Sequence, residues 1–154
     1  MTILHIAPIV CSTISIWFAF DQWFFLRIFL KKDIEPQTRH FLTSYWTTFA
    51  DDGIPIVLLG VAGTAASTVA VLTTDSDNIL REKGSYYWYM ASAIFAVSHL
   101  TFAAKILPVI KDLKEGGLGP ALRRWIRVHN TRALTVDLAC WVTCMVASAK
   151  TLSP

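Results

Sequence analysis

Apolar positions in this chain gather into four long runs separated by polar segments, at residues 3–30, 54–73, 86–107 and 133–149. A hydrocarbon core about 30 Å thick takes roughly 20 apolar helical residues to cross. The pattern predicts an all-α fold, a four-transmembrane-helix bundle forming one integral membrane domain over residues 1–154. The first run is long enough to tilt or to project beyond the bilayer. It lacks the basic start and small-residue cleavage pattern of a signal peptide, so it is expected to be retained as a helix. Asp51-Asp52-Gly53 followed by Pro55 predicts the start of the second helix, with acidic side chains at the positive end of its dipole. The third helix is expected to stop at Pro108. The fourth covers residues 121–149, basic at first and within the membrane from about 133. In the second span Gly60, Gly63, Ala66 and Ser67 give small-residue pairs at Ala62/Ala66 and Gly63/Ser67, which predict close approach of a neighbouring backbone.

Composition agrees with a membrane protein. Of the 154 residues 54% are hydrophobic and 16% charged, against about 25% charged in soluble domains. A mean hydropathy of +0.48 is too high for so small a domain to hide in a core. Disorder, a collagen-like fibre and a disulfide-rich secreted scaffold are excluded. A net charge of +3 is too small for a dedicated nucleic-acid binder, so no nucleic-acid partner is expected. Cys11, Cys140 and Cys144 lie in apolar runs without metal-ligand spacing, and no metal site is expected. Ten Lys and Arg residues fall in or beside segments 31–53 and 108–132, and three (Arg81, Lys83, Lys150) fall on the other side, leaving Lys105 unassigned. Positive loops stay in the cytosol. Segments 31–53 and 108–132 are therefore expected to be cytosolic, with both termini on the lumenal or outer face and Tyr86-Tyr87-Trp88-Tyr89 as an aromatic belt there.

Ionisable side chains at bilayer depth cost roughly 2.5–3.5 kcal/mol each on insertion scales. Three call for a reason: Asp21 in the first span, His99 in the third and Asp137 in the fourth. At a rise of 1.5 Å per residue, Asp21 and His99 lie about 13 and about 12 Å from their cytosolic helix ends, and Asp137 about 6 Å past Arg132. All three fall in the cytosolic half of the bilayer, and equal depth leaves open whether they touch. Trp125, His129 and Arg132, at i, i+4 and i+7, share one helix face, while Asn130 and Asp137 share another roughly 100° round. Trp46, Asp51 and Asp52 approach the same side. Together these residues are expected to form a polar mouth over an aromatic cavity lined by Trp17, Phe24 and Phe25.

The catalytic candidates are thus Asp137, His99, Asp21, His129 and Arg132, and the substrate-binding candidates Trp17, Phe24, Phe25, Trp46, Trp125 and Asn130. Each has a plainer role as well. The carboxylates serve equally as interhelical bonds, His99 as a helix–helix donor, Arg123, Arg124 and Arg127 as anionic-lipid contacts, and the cysteines as packing. No internal inverted repeat and no continuous polar stripe supports a transporter or pore. The expected partners are the bilayer and a lipophilic small molecule, with a homo-oligomer left open.

An aromatic-rich segment with Trp46 precedes a Gly-containing second span, Pro108 follows the third, and Trp125-x-x-x-His129-Asn130-x-Arg132 enters the fourth. In these features the chain resembles the small four-helix integral membrane proteins related to fungal anthrone oxygenases. The resemblance implies a biosynthetic enzyme of secondary metabolism in an internal membrane, the endoplasmic reticulum. It implies oxidation of an anthrone to a quinone with molecular oxygen as co-substrate and no flavin, haem or metal cofactor. Such a reaction requires a base, a donor for the developing oxyanion and a cavity closed to bulk water. His99 or Asp137 is the candidate base, Arg132 with His129 the oxyanion stabilisers, and Asn130 an orienting group. One alternative is a non-oxidative membrane cyclase or isomerase of a terpenoid or polyketide. There Asp21 or Asp137 is the general acid, and Trp and Phe rings stabilise cationic charge. Another is a non-catalytic membrane partner that scaffolds a second biosynthetic enzyme.

Overall fold

A computed structural model describes residues 2–32, 34, 38–75 and 78–154. Helix α1 (Thr2–Leu26) runs on into a 3-10 turn at Arg27–Leu30. Helix α2 (Arg39–Thr73) is continuous over 35 residues. After the short α3 (Ile79–Glu82), α4 (Tyr86–Ser98) passes through a 3-10 turn at His99–Phe102 into α5 (Ala103–Lys114). Helix α6 (Leu118–Arg132) passes through a π-helical turn at Ala133–Asp137 into α7 (Leu138–Leu152). There are no strands among the described residues.

Four rods in this series, Ile3–Leu30, Phe41–Thr73, Tyr86–Lys114 and Gly119–Leu152, are long and apolar enough to cross a membrane. They pack in a ring in chain order, the fourth closing against the first. Lys83 Nζ donates to Ser153 O at 2.6 Å, and Ser148 Oγ donates to His5 O at 2.6 Å. These bonds gather both chain ends and the α2–α4 connection at one end of the bundle. The Lys114–Asp51 ion pair, at 2.6 Å, lies at the other.

Two helix boundaries differ from expectation. The second helix starts at Arg39 rather than at Asp51-Asp52-Gly53, and the third runs past Pro108 to Lys114. Leu42, Trp46 and Ala50 recur every fourth residue, and their buried faces pack with Val109, Leu113, Leu122 and Trp125. That packing outweighs the start signal at Pro55. A proline ring within a helix frees one carbonyl, which transmembrane bundles tolerate. Much of segments 31–53 and 108–132 is therefore helical. Residues 33 and 35–37, and the side chain of Arg39, lie outside the described residues. Rods of 28 to 34 residues measure roughly 42–51 Å, more than the hydrocarbon thickness. The surplus of the second, third and fourth rods forms this cluster at the Asp51–Lys114 end.

Nearer the opposite end small residues set the spacing. A Cβ at Gly60 would collide with Ser15 Oγ, and one at Gly63 would lie 2.9 Å from Cys11 Sγ. Ala62 and Ala66 point outward instead, so the close contact with α1 runs through Gly60 and Gly63. Gly60→Leu is expected to destabilise the bundle by about 1–3 kcal/mol through overpacking, lowering the melting temperature of the detergent-solubilised protein. Ala66→Leu, on the exposed face, should melt like the parent.

Candidate active site

Residues five apart on an α-helix point about 140° away from each other, too far for their side chains to pair. The π turn at Ala133–Asp137 inserts an extra residue into the fourth rod and swings Asp137 back toward Arg132. Arg132 Nε donates to Asp137 Oδ2 at 3.1 Å. The offset expected of a straight helix between the Arg132 and Asp137 faces is thereby removed. On the third rod, the 3-10 turn begins at His99, whose Nδ1 lies 2.7 Å from Asp137 Oδ1. All three side chains are buried, with exposures of 8% for His99, 7% for Asp137 and 8% for Arg132. One carboxylate thus ties two rods together, each of its oxygens holding one partner.

The proton positions follow from which atoms can donate. A carboxylate paired with a guanidinium accepts, so His99 Nδ1 carries the proton, leaving Nε2 as the basic nitrogen. Nε2 makes no hydrogen bond among the described residues. Arg132 Nη2 donates to His129 Nδ1 at 3.3 Å, and a guanidinium offers no acceptor, so Nδ1 there accepts. His129 Nε2 correspondingly donates to Ala19 O at 2.8 Å, fastening the fourth rod to α1. Trp125 stacks on the His129 ring at 4.4 Å and 14°. Trp46 meets Trp125 edge to face at 5.1 Å.

Beside this network lies a cavity of about 300 Å³, within the size range of small-molecule sites. His99, Arg132, Gln22, Trp46 and Trp125 line its buried side, against apolar walls such as Phe49, Val57 and Ile106. Its rim includes Ile54, Leu58, Leu100 and Leu107, which are exposed on the outside of the bundle between the second and third rods. Asp137 and His129 are not part of this wall. They stand behind it, holding the two groups that are.

Four of the five catalytic candidates therefore meet: Asp137, His99, His129 and Arg132. Asp21 does not. It is exposed on the outer face of α1, as are Trp17, Phe24 and Phe25, with exposures of 68%, 47% and 53%. The expected aromatic lining from α1 is corrected accordingly, because that helix turns its small and polar stripe inward and its rings outward. Trp46 and Trp125 do line the cavity, whereas Asn130 is half-buried outside its wall. Asp51 pairs with Lys114, and Asp52 borders a separate shallow groove with Phe18 and Tyr45. The residue that sequence reasoning missed is Gln22, buried at 5% exposure one position beyond Asp21. Among the described residues no three His, Cys, Asp or Glu side chains gather as a metal-ligand set.

Comparison with known proteins finds relatives over nearly the whole length. Epoxidase pydX of an Acremonium species is 24% identical across 99% of this chain and 96% of its own. Epoxidase gkaX of Penicillium citrinum is 22% identical across 99% and 96%. The probable epoxidase scpX of Mollisia scopiformis is 22% identical across 97% and 96%. No protein-family profile and no solved structure matches the chain. In its full extent the chain is similar to fungal proteins named for epoxidation rather than for anthrone oxidation.

Proposed function

We propose that this chain is an oxidative biosynthetic enzyme of secondary metabolism. In this reading it deprotonates a lipophilic phenolic or enolisable substrate and lets the resulting anion react with molecular oxygen. The observation that carries the reading is the placement of a histidine and an arginine on the wall of an otherwise apolar cavity whose rim faces the outside of the bundle. The full-length similarity to named epoxidases supports the oxidative part.

His99 Nε2 is the base, oriented through Nδ1 by Asp137. Arg132 gives its Nε N–H to Asp137 and one N–H of Nη2 to His129, so its three remaining N–H groups, two on Nη1 and one on Nη2, are the donors left for the substrate oxyanion. The electron-rich carbon of the anion passes one electron to oxygen and the radical pair combines, forming a C–O bond. The peroxide anion recovers the proton from His99. An anthrone hydroperoxide then loses a C–H proton to the base, its O–O bond breaks, and a quinone and water leave. In a hydroquinone-type substrate, the neighbouring enolate carbon attacks the proximal oxygen instead. That closes an epoxide and expels hydroxide, which leaves as water after protonation. In either case one substrate and one oxygen molecule give one oxygenated product and one water, and the substrate supplies every electron. Anthrone oxidation and epoxidation thus diverge only after a shared hydroperoxide.

The same reading places the protein in the endoplasmic reticulum membrane with the Asp51–Lys114 end toward the cytosol. Purified protein in nanodiscs, offered alkyl-hydroquinones and anthrones, is expected to consume one oxygen per substrate oxidised without added NADPH or flavin. Oxygen uptake that appears only when a reductant is supplied contradicts a substrate-driven reaction.

A further inference from the structure

The inward stripe of α1 carries Ser12, Ala19, Gln22 and Leu26, all buried. Ser12 donates to Ile9 O within its own helix, and Ala19 O accepts from His129. Gln22, one turn beyond Ala19, faces the same side and lines the cavity together with His99 and Arg132. It is 5% exposed, yet its amide makes no hydrogen bond among the described residues. A buried polar group left without a partner is costly, and native interiors rarely keep one without a reason. The cavity therefore has more polar capacity than one oxyanion uses. His99 and Arg132 serve a first substrate oxygen, while Gln22 on a different rod has a donor and an acceptor unused.

We infer that Gln22 is a substrate-contacting, specificity-determining residue. Its amide bonds a second oxygen function, so the preferred substrate is a lipophilic molecule bearing two hydrogen-bonding oxygens at one end. The inference builds on the proposed site but concerns recognition, so binding tests it apart from turnover. The amide matches either a carbonyl or a hydroxyl. A site built to hydrogen-bond a substrate group discriminates strongly against the analogue lacking it, because its own buried groups are then left unpaired.

The test uses two probes that differ by one hydroxyl, 5-decylresorcinol and 3-decylphenol, binding to the full-length protein in nanodiscs. Quenching of tryptophan fluorescence reports occupancy, since Trp46 and Trp125 line the cavity. The parent is expected to bind the resorcinol about tenfold more tightly, one hydrogen bond's worth. Gln22→Met is expected to abolish that preference while leaving the phenol's affinity and the melting temperature unchanged. Gln22→Leu is measured in the same way should Gln22→Met fail to accumulate. Equal binding of the two probes by the parent, or a preference that survives both substitutions, overturns the inference. A preference that depends on Gln22 in protein that oxidises neither probe upholds it and counts against the oxygenase reading alone.

Discussion

Asp137→Ala is expected to destabilise the bundle by about 3–5 kcal/mol, the cost of leaving a buried charge without its partner. The carboxylate holds His99 at 2.7 Å and Arg132 at 3.1 Å, and all three side chains are at least nine-tenths buried. Removing it strands the Arg132 guanidinium with only His129 Nδ1 as acceptor. It also removes one of the side-chain ties between the third rod and the fourth, leaving others such as Cys140 Sγ to Ser92 O. Equilibrium unfolding in detergent, followed by helical circular dichroism, measures the loss. Asp137→Asn keeps the shape and one acceptor for Arg132, so its loss should be smaller. Its amide, however, donates toward His99 Nδ1 and forces the ring proton onto Nε2, taking the lone pair away from the cavity. The asparagine variant is therefore expected to fold and yet be nearly inactive. An alanine variant as stable as the parent would show that the ion pair does not hold the rods together.

His99→Asn is expected to lower turnover by about 10²- to 10⁴-fold, the usual contribution of a positioned general base, with little change in melting temperature. The asparagine Nδ2 occupies the place of His99 Nδ1 and keeps a donor on Asp137 Oδ1, so the buried pair survives. What disappears is Nε2, the one basic nitrogen that the network leaves free beside the cavity. Initial rates with an anthrone or alkyl-hydroquinone substrate, together with a melting curve on the same preparation, check both halves. A stable variant that turns over normally would remove His99 from the chemistry.

The bundle itself was legible from the four apolar runs, because each is long enough to cross a bilayer and polar segments part them. The helix over Arg39–Ala50 was obscured by the acidic residues and proline that follow it, although Leu42, Trp46 and Ala50 already carried its period. At the site, depth along the helix separated informative residues from background only in part. Asp21, expected at the depth of His99 and Asp137, points outward. The face was nevertheless written in α1. Ser12, Ser15, Ala19 and Gln22 recur at intervals of three and four, small or polar among bulky aromatics, as membrane helices turn small residues toward neighbours. That stripe selects Gln22 over Asp21. The pairing of Arg132 with Asp137 had no such signal, because it depends on a π turn that helical periodicity does not encode.

Oxygen from O2 is expected to enter the substrate at the site built on His99 and Arg132. Membranes carrying the parent protein or His99→Asn, offered a small panel of anthrones and alkyl-hydroquinones under oxygen-18 gas, test it most directly by mass spectrometry of the products. One oxygen-18 atom per product molecule is expected with the parent, and only the empty-membrane background with His99→Asn. Folded parent protein that yields no labelled product from any member of the panel, or labelling that persists undiminished in His99→Asn, would contradict it.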